Sequence, residues 1–91
     1  MSDDHRFTIG GEPWTWRYSR LRGNADGWTY GRPTHRVIID KRLRGQRRLE
    51  VEVHELLHAL FPDLSEESVT AGAADMRRVL WHLGYRLTEQ E

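Results

Sequence analysis

Cysteine is absent from this 91-residue chain. Disulfides and thiolate metal sites are therefore excluded, and histidine and carboxylate remain as the strong ligands for a transition metal. No apolar run approaches the roughly 20 residues that a membrane span needs, and the opening MSDDHRF is polar and acidic. No membrane segment is expected, and the chain is expected in the cytoplasm. Repeats, low-complexity tracts and an interdomain linker are also missing, so one domain should occupy residues 1–91. A chain this short buries a modest share of its surface, which lets a bound metal matter to stability as well as to chemistry.

An excess of either charge is lacking too, with 14 basic against 14 acidic residues. The balance conceals an asymmetry. Residues 1–48 carry 11 Arg and Lys against 5 Asp and Glu, and residues 49–91 carry 3 against 9. A basic face for nucleic acid or an acidic, metal-binding half would each produce it.

Hydrophobic patterning points to an α+β fold: a short N-terminal sheet of three or so strands within residues 6–40, then a helix and a second packed helix. Residues 1–5 read as a disordered end. RFTIGGEPWTWRY is rich in aromatic and β-branched residues around Gly10 and Gly11, which predicts two strands and a turn, with Trp14, Trp16 and Tyr18 on one face. LRGNADGWTYGRPTH is loop-like, with room for a brief strand at Trp28 to Tyr30. HRVIIDKRL predicts a strand with Val37 and Ile39 on one face, and Gly45 ends that segment. From about Arg48 the apolar period becomes helical. The first helix, 48–61, has the stripe Leu49, Val53, Leu56, Leu57, Leu60 and Phe61, and Pro62 stops it. The second helix, 65–83, starts at the N-cap Ser65, carries Val69, Ala73, Met76, Val79, Leu80 and Leu83, and ends before Gly84.

The first helix contains His54-Glu55-Leu56-Leu57-His58. Residues four apart lie one turn above each other, so two imidazoles at that interval converge on a single ion at about 2.0–2.1 Å. Both histidines flank the apolar stripe, as ligands at the edge of a cleft should. Glu55, about a quarter turn round, can take a proton from a water that the ion has acidified. The pattern alone arises by chance in roughly two of a hundred chains of this composition. Its weight comes from its place on an amphipathic helix after an apolar strand.

VEVHELLHALF preceded by HRVIID resembles the strand and active-site helix of zincin metallopeptidases, and SEESVTAGAADMRRVLWHLGY is similar to the ligand-bearing helix of a compact gluzincin. The resemblance covers residues 35–86. It implies a zinc-dependent peptidase acting on a peptide or protein substrate, with His54 and His58 as ligands and Glu55 as general base. It also implies that the strand Arg36 to Asp40 pairs with an extended substrate. Phe61 and Leu64 stand where metzincins have Gly and His, so a third histidine ligand of that style is excluded.

A catalytic zinc takes three protein ligands and one open position. Glu66, Glu67 and Asp75 are the candidates for the third. If the helices run antiparallel about Pro62, Glu66 lies within a turn of His58 and ranks first, and Asp75, on the other flank at the level of His54, ranks second. Glu67 points toward solvent. Two alternatives of other classes stand beside this reading. One is a zinc-stabilised binding or regulatory domain without turnover. The other is a nucleic-acid-binding module using the Arg-rich segment 41–48, with Trp28 or Tyr30 stacking on bases, but the sequence holds no signature of such a module and nucleic acid is not the expected partner.

Overall fold

A computed structural model describes residues 4–87, in the order β1 (Asp4–Ile9), β2 (Glu12–Ser19), β3 (Gly27–Tyr30), β4 (Arg36–Asp40), α1 (Gly45–Leu60) and α2 (Glu66–His82). The α+β architecture read from the sequence is the one found, with four strands. Gly10 and Gly11 both have positive φ, 59° and 82°. Those two residues turn β1 into β2 with Ile9 opposite Glu12, as a two-residue hairpin requires. The strands lie in the order β1-β2-β4-β3. β2 and β4 run parallel in the middle, and β3 pairs antiparallel with β4, so β1 and β3 are the edges.

Strand alternation places Trp14, Trp16, Val37 and Ile39 on one face of the sheet, where they form a core with Ile9 and Val51. Val37 and Ile39 are fully buried. β1 begins at Asp4, earlier than the disordered end expected for residues 1–5, because Arg17 grips the Asp4 carboxylate with Nε at 2.7 Å and Nη2 at 3.1 Å. Residues 1–3 of that expectation lie outside the described residues.

α1 is the helix that meets the sheet, and α2 packs on α1. Being sandwiched, α1 needs two buried faces, and this corrects the single stripe expected for it. Val51 and Glu55 face the sheet, Leu57 joins Val69 and Ala73 of α2, and Leu60 and Phe61 are exposed. Two glutamates three residues apart tie α1 down. Tyr18 of β2 donates to Glu52 at 2.5 Å, and Thr29 of β3 donates to Glu55. Burial first, and then the Glu52 carboxylate, push the Tyr18 phenol up.

The helix starts at Gly45, three residues before the expected Arg48, with the Arg48 N–H already bonded to the Arg44 carbonyl. No side chain caps that end, so no Ser, Thr, Asp or Asn marked it in the sequence. Pro62 closes α1 at Leu60, and Ser65 caps α2 by accepting from the Ser68 N–H at 3.0 Å. Gly84, at φ 96°, ends α2 with bonds from its own N–H to Trp81 and from Tyr85 N–H to Leu80, the paired arrangement that glycine-terminated helices adopt.

The α2 stripe also differs from expectation. Val69 and Ala73 are buried, but Met76, Val79 and Leu83 are exposed. The side of α2 toward α1 continues instead through Arg77, which donates to Glu50 and Gln46, and Trp81, which lies against Gly45. No helix of the described residues is long and apolar enough to cross a membrane.

Candidate metal centre

Because Pro62 stops α1, the short turn to Ser65 brings Glu66, the first residue of α2, back onto the end of α1. His54 and His58 stand one turn apart there, with ring centroids 4.9 Å from each other. Both rings present Nε2 to the Glu66 carboxylate, at 2.7 Å from His58 to Oε1 and 3.1 Å from His54 to Oε2. The ligating atoms of the three residues all lie within 4.8 Å of one another.

Donors about 2.0–2.2 Å from a tetrahedral ion stand roughly 3.3 Å apart, so an ion here would draw the widest pair, within 4.8 Å at present, closer together. Two imidazole nitrogens and one carboxylate oxygen are also donors that zinc accepts. The residues therefore fit the ion that the motif implies. No second group of three such ligands occurs among the described residues.

Glu55 bonds to the sheet through one carboxylate oxygen, borders the same cleft as the trio and is only 8% exposed. The Thr29 hydroxyl lies 2.6 Å from Glu55 Oε1 and 3.0 Å from the Glu55 carbonyl, and donates to them. Gly27, two residues earlier on β3, lets the helix come in close. A β-carbon there would sit 2.9 Å from Glu55 Cγ and 3.1 Å from Val51 Cγ1. Gly27, Thr29, His54, Glu55, His58 and Glu66 line one cleft of about 420 Å³. Larger clefts of about 560 and 470 Å³ open beside Arg44 and Trp81 and beside Phe7 and Leu56. Neither holds a ligand set.

The other candidates lie elsewhere. Asp75 is exposed and paired with Arg78 at 2.5 Å. Glu67 is exposed in the first turn of α2, outside the cluster. His35 stacks on Trp14 with centroids 4.8 Å apart, and His82 sits exposed in the last turn of α2. The strand expected to receive substrate, Arg36 to Asp40, is paired on both sides and has no free backbone edge. β3 is the edge strand beside the cleft. Its brevity and glycines concealed this in the sequence, as they concealed the roles of Gly27 and Thr29.

Within the Arg-rich segment 41–48, Arg42 pairs with Asp40, Arg47 with Asp26 and Arg48 with Glu52. Arg44 donates to the carbonyls of Lys41 and Leu43. The buried Asp40 draws four donated hydrogen bonds, from the Leu21 and Arg42 backbones and from Arg42 Nε and Nη2. The Arg42 guanidinium first, and then the two backbone groups, hold its carboxyl well below the usual carboxylate range, although burial opposes them. These bonds fix the loop after β2 to the end of β4. Comparison with protein-family models, with curated proteins and with solved structures finds no match to this chain.

Proposed function

We propose that this protein is a zinc-dependent metallopeptidase of the gluzincin kind, in which His54, His58 and Glu66 hold the ion and Glu55 is the general base. The observation that carries the reading is one cleft on which three converging ligands, a neighbouring carboxylate and the edge of a sheet meet. Zinc bound there supplies a Lewis acid for a carbonyl oxygen and lowers the pKa of a coordinated water toward neutrality.

The chain's own groups do the rest. Thr29 occupies Oε1 of Glu55, leaving Oε2 with no hydrogen-bond partner among the described residues. That oxygen takes the proton of the attacking water, and Glu55 returns it to the leaving amine. The outer backbone groups of β3 are open to an extended peptide, which would lie along the cleft as an added strand. A set of three protein ligands favours turnover over a purely structural site, which is closed by four.

The test compares wild type with Glu55→Gln and His58→Ala, reading zinc content and the cleavage of a mixed peptide library by mass spectrometry. Glu55→Gln should keep stoichiometric zinc and lose cleavage, whereas His58→Ala should lose both. Undiminished cleavage by Glu55→Gln, or a wild type that retains no zinc, rejects the assignment.

A further inference from the structure

Both helices lie on one side of the sheet, and no helix or strand of the described residues covers the opposite face. Pairing across the strands sets two rows on that face. One runs Arg6, Thr15, Arg36, Tyr30, and the other runs Asp4, Arg17, Ile38, Trp28. The uncovered face of a two-layer fold is ordinarily polar. Here it carries the two large aromatic side chains of β3, with Trp28 52% and Tyr30 45% exposed.

The two rings project from alternate residues of a single strand, about 6.6 Å apart along it, and each neighbours a residue of β4. Cations outnumber acids around them, with Arg6, Arg17 and Arg36 against Asp4. Arg17 is paired with Asp4, and no carboxylate among the described residues pairs with Arg6 or Arg36. The Asp4 carboxyl is held below its usual range first by the Arg17 hydrogen bond and also by the fields of Arg36 and Arg6, so all three guanidinium groups crowd one acid. Arg36 Nε is buried and has no hydrogen-bond partner. The burial of that atom limits where the charged end of the side chain can go.

We propose that this sheet face binds single-stranded nucleic acid, with Trp28 and Tyr30 stacking on successive bases and Arg6 and Arg36 contacting the phosphates. Charge complementarity selects an anionic partner, and a pair of exposed aromatic planes beside the cations selects one with flat bases. Every base offers a π-face to such a platform, so contact of this kind is tolerant of sequence. A duplex keeps its bases stacked on each other and cannot use the rings. Strand alternation sets the Trp28 and Tyr30 side chains on the face away from α1, although Trp28 also borders the metal cleft, and the inference stands whether or not the chain cleaves peptides.

Fluorescence anisotropy tests it, using labelled oligo-uridine and oligo-thymidine of about twelve nucleotides in about 50 mM salt. Expected are binding that weakens as salt rises, preference over a duplex of equal length, and at least a roughly fivefold loss for each of Trp28→Ala and Tyr30→Ala. The double variant Arg6→Gln with Arg36→Gln should reduce the salt slope by about 1.4, at about 0.7 per phosphate contact on a single strand. His58→Ala and chelated protein should bind as wild type does, which separates this result from that of the peptidase test. A thermal melt of each variant excludes unfolding as the cause of any loss, and Trp28 and Arg6 are exposed enough to be changed without a core effect. Absence of binding, aromatic variants that bind normally, or equal competition by polyglutamate, anionic vesicles or duplex would each overturn the proposal.

Discussion

The Thr29 hydroxyl lies 2.6 Å from Oε1 of Glu55 and donates to it, joining the edge strand to the first helix at the floor of the cleft. A glutamate has three side-chain torsions, and as a base it acts only from a position that reaches the water it deprotonates. Thr29 fixes one oxygen and so directs the other. In the proposed peptidase its part would be to position Glu55. Thr29→Val keeps the shape and removes the donor. A hydrogen bond to a charged group contributes about 1.5–3 kcal/mol, so kcat should fall by roughly tenfold to a hundredfold. Zinc content and KM should stay near wild type, and Thr29→Ser should recover most of the rate. A loss of zinc in Thr29→Val would show that the hydroxyl supports the ligands instead.

Gly27 governs the same approach by its size. The contacts its absent β-carbon would make are with Glu55 Cγ and Val51 Cγ1, atoms near the backbone of α1 that cannot swing aside freely. Gly27→Ala must therefore move the helix or the strand, at a cost of about 1–3 kcal/mol, as is typical of overpacking. Urea denaturation should report that loss, and cleavage should fall with it because Glu55 is displaced. Stability and activity equal to wild type would mean that the gap between β3 and α1 is wider than these distances.

Much of this was readable from the chain alone, for identifiable reasons. Val37 and Ile39, Trp14 and Trp16, and the Ser65 and Gly84 caps follow from local rules of alternation and termination, and the structure places them accordingly. Glu66 was reachable by the same logic, since Pro62 sets where the chain reverses and therefore which acid returns to His58. Tertiary relationships were harder. Periodicity reveals one apolar face of a helix, and it missed that α1 lies between a sheet and another helix and buries Val51 and Glu55 on the second side. Which strand forms the sheet edge depends on the crossover that puts β4 between β2 and β3, and no residue pattern announces that order. Local pattern also does not reveal the part of Asp40, whose partner Leu21 lies nineteen residues away in a loop.

Asp40 makes a prediction about acid. Its carboxyl binds a proton more readily in the unfolded chain, where the ordinary value is about 4, than in the fold, where Arg42 and two backbone N–H groups hold it lower. Between those two values the unfolded state carries more protons, so stability rises with pH across that window. The stabilisation is complete above about pH 4 and is lost as the pH falls toward the folded value. Asp40→Asn keeps the size of the side chain and removes the charge. It should lower stability at pH 7 by roughly 1–3 kcal/mol, as loss of a buried charged hydrogen-bond partner does. It should also flatten the dependence below pH 4. Melting curves of both proteins at several pH values check this, and parallel curves would show that another carboxylate controls the acid limb.

The cluster of His54, His58 and Glu66 spans α1 and α2, so an ion held there ties the two helices together. A ligand that binds only the folded state stabilises it by about 2.7 kcal/mol at a hundred times its dissociation constant. In a domain of this size that corresponds to a rise in Tm of roughly 10–20 °C. Zinc added to metal-free protein should produce such a rise, and a chelator should reverse it. Glu66→Ala should weaken zinc binding by more than about a hundredfold, beyond the loss usual for a residue that only orients a ligand, and should remove most of the shift. Glu67→Ala and Asp75→Ala should leave the affinity unchanged, since Glu67 lies outside the cluster and Asp75 is paired with Arg78 on the surface. Competition against a chromophoric chelator measures the affinities directly. If Asp75→Ala lost zinc while Glu66→Ala kept it, the carboxylate now spanning both imidazoles would be only the N-terminal acid of α2, stabilising the helix end by about 0.3–1 kcal/mol, and α2 would have to turn to bring its other flank to His54.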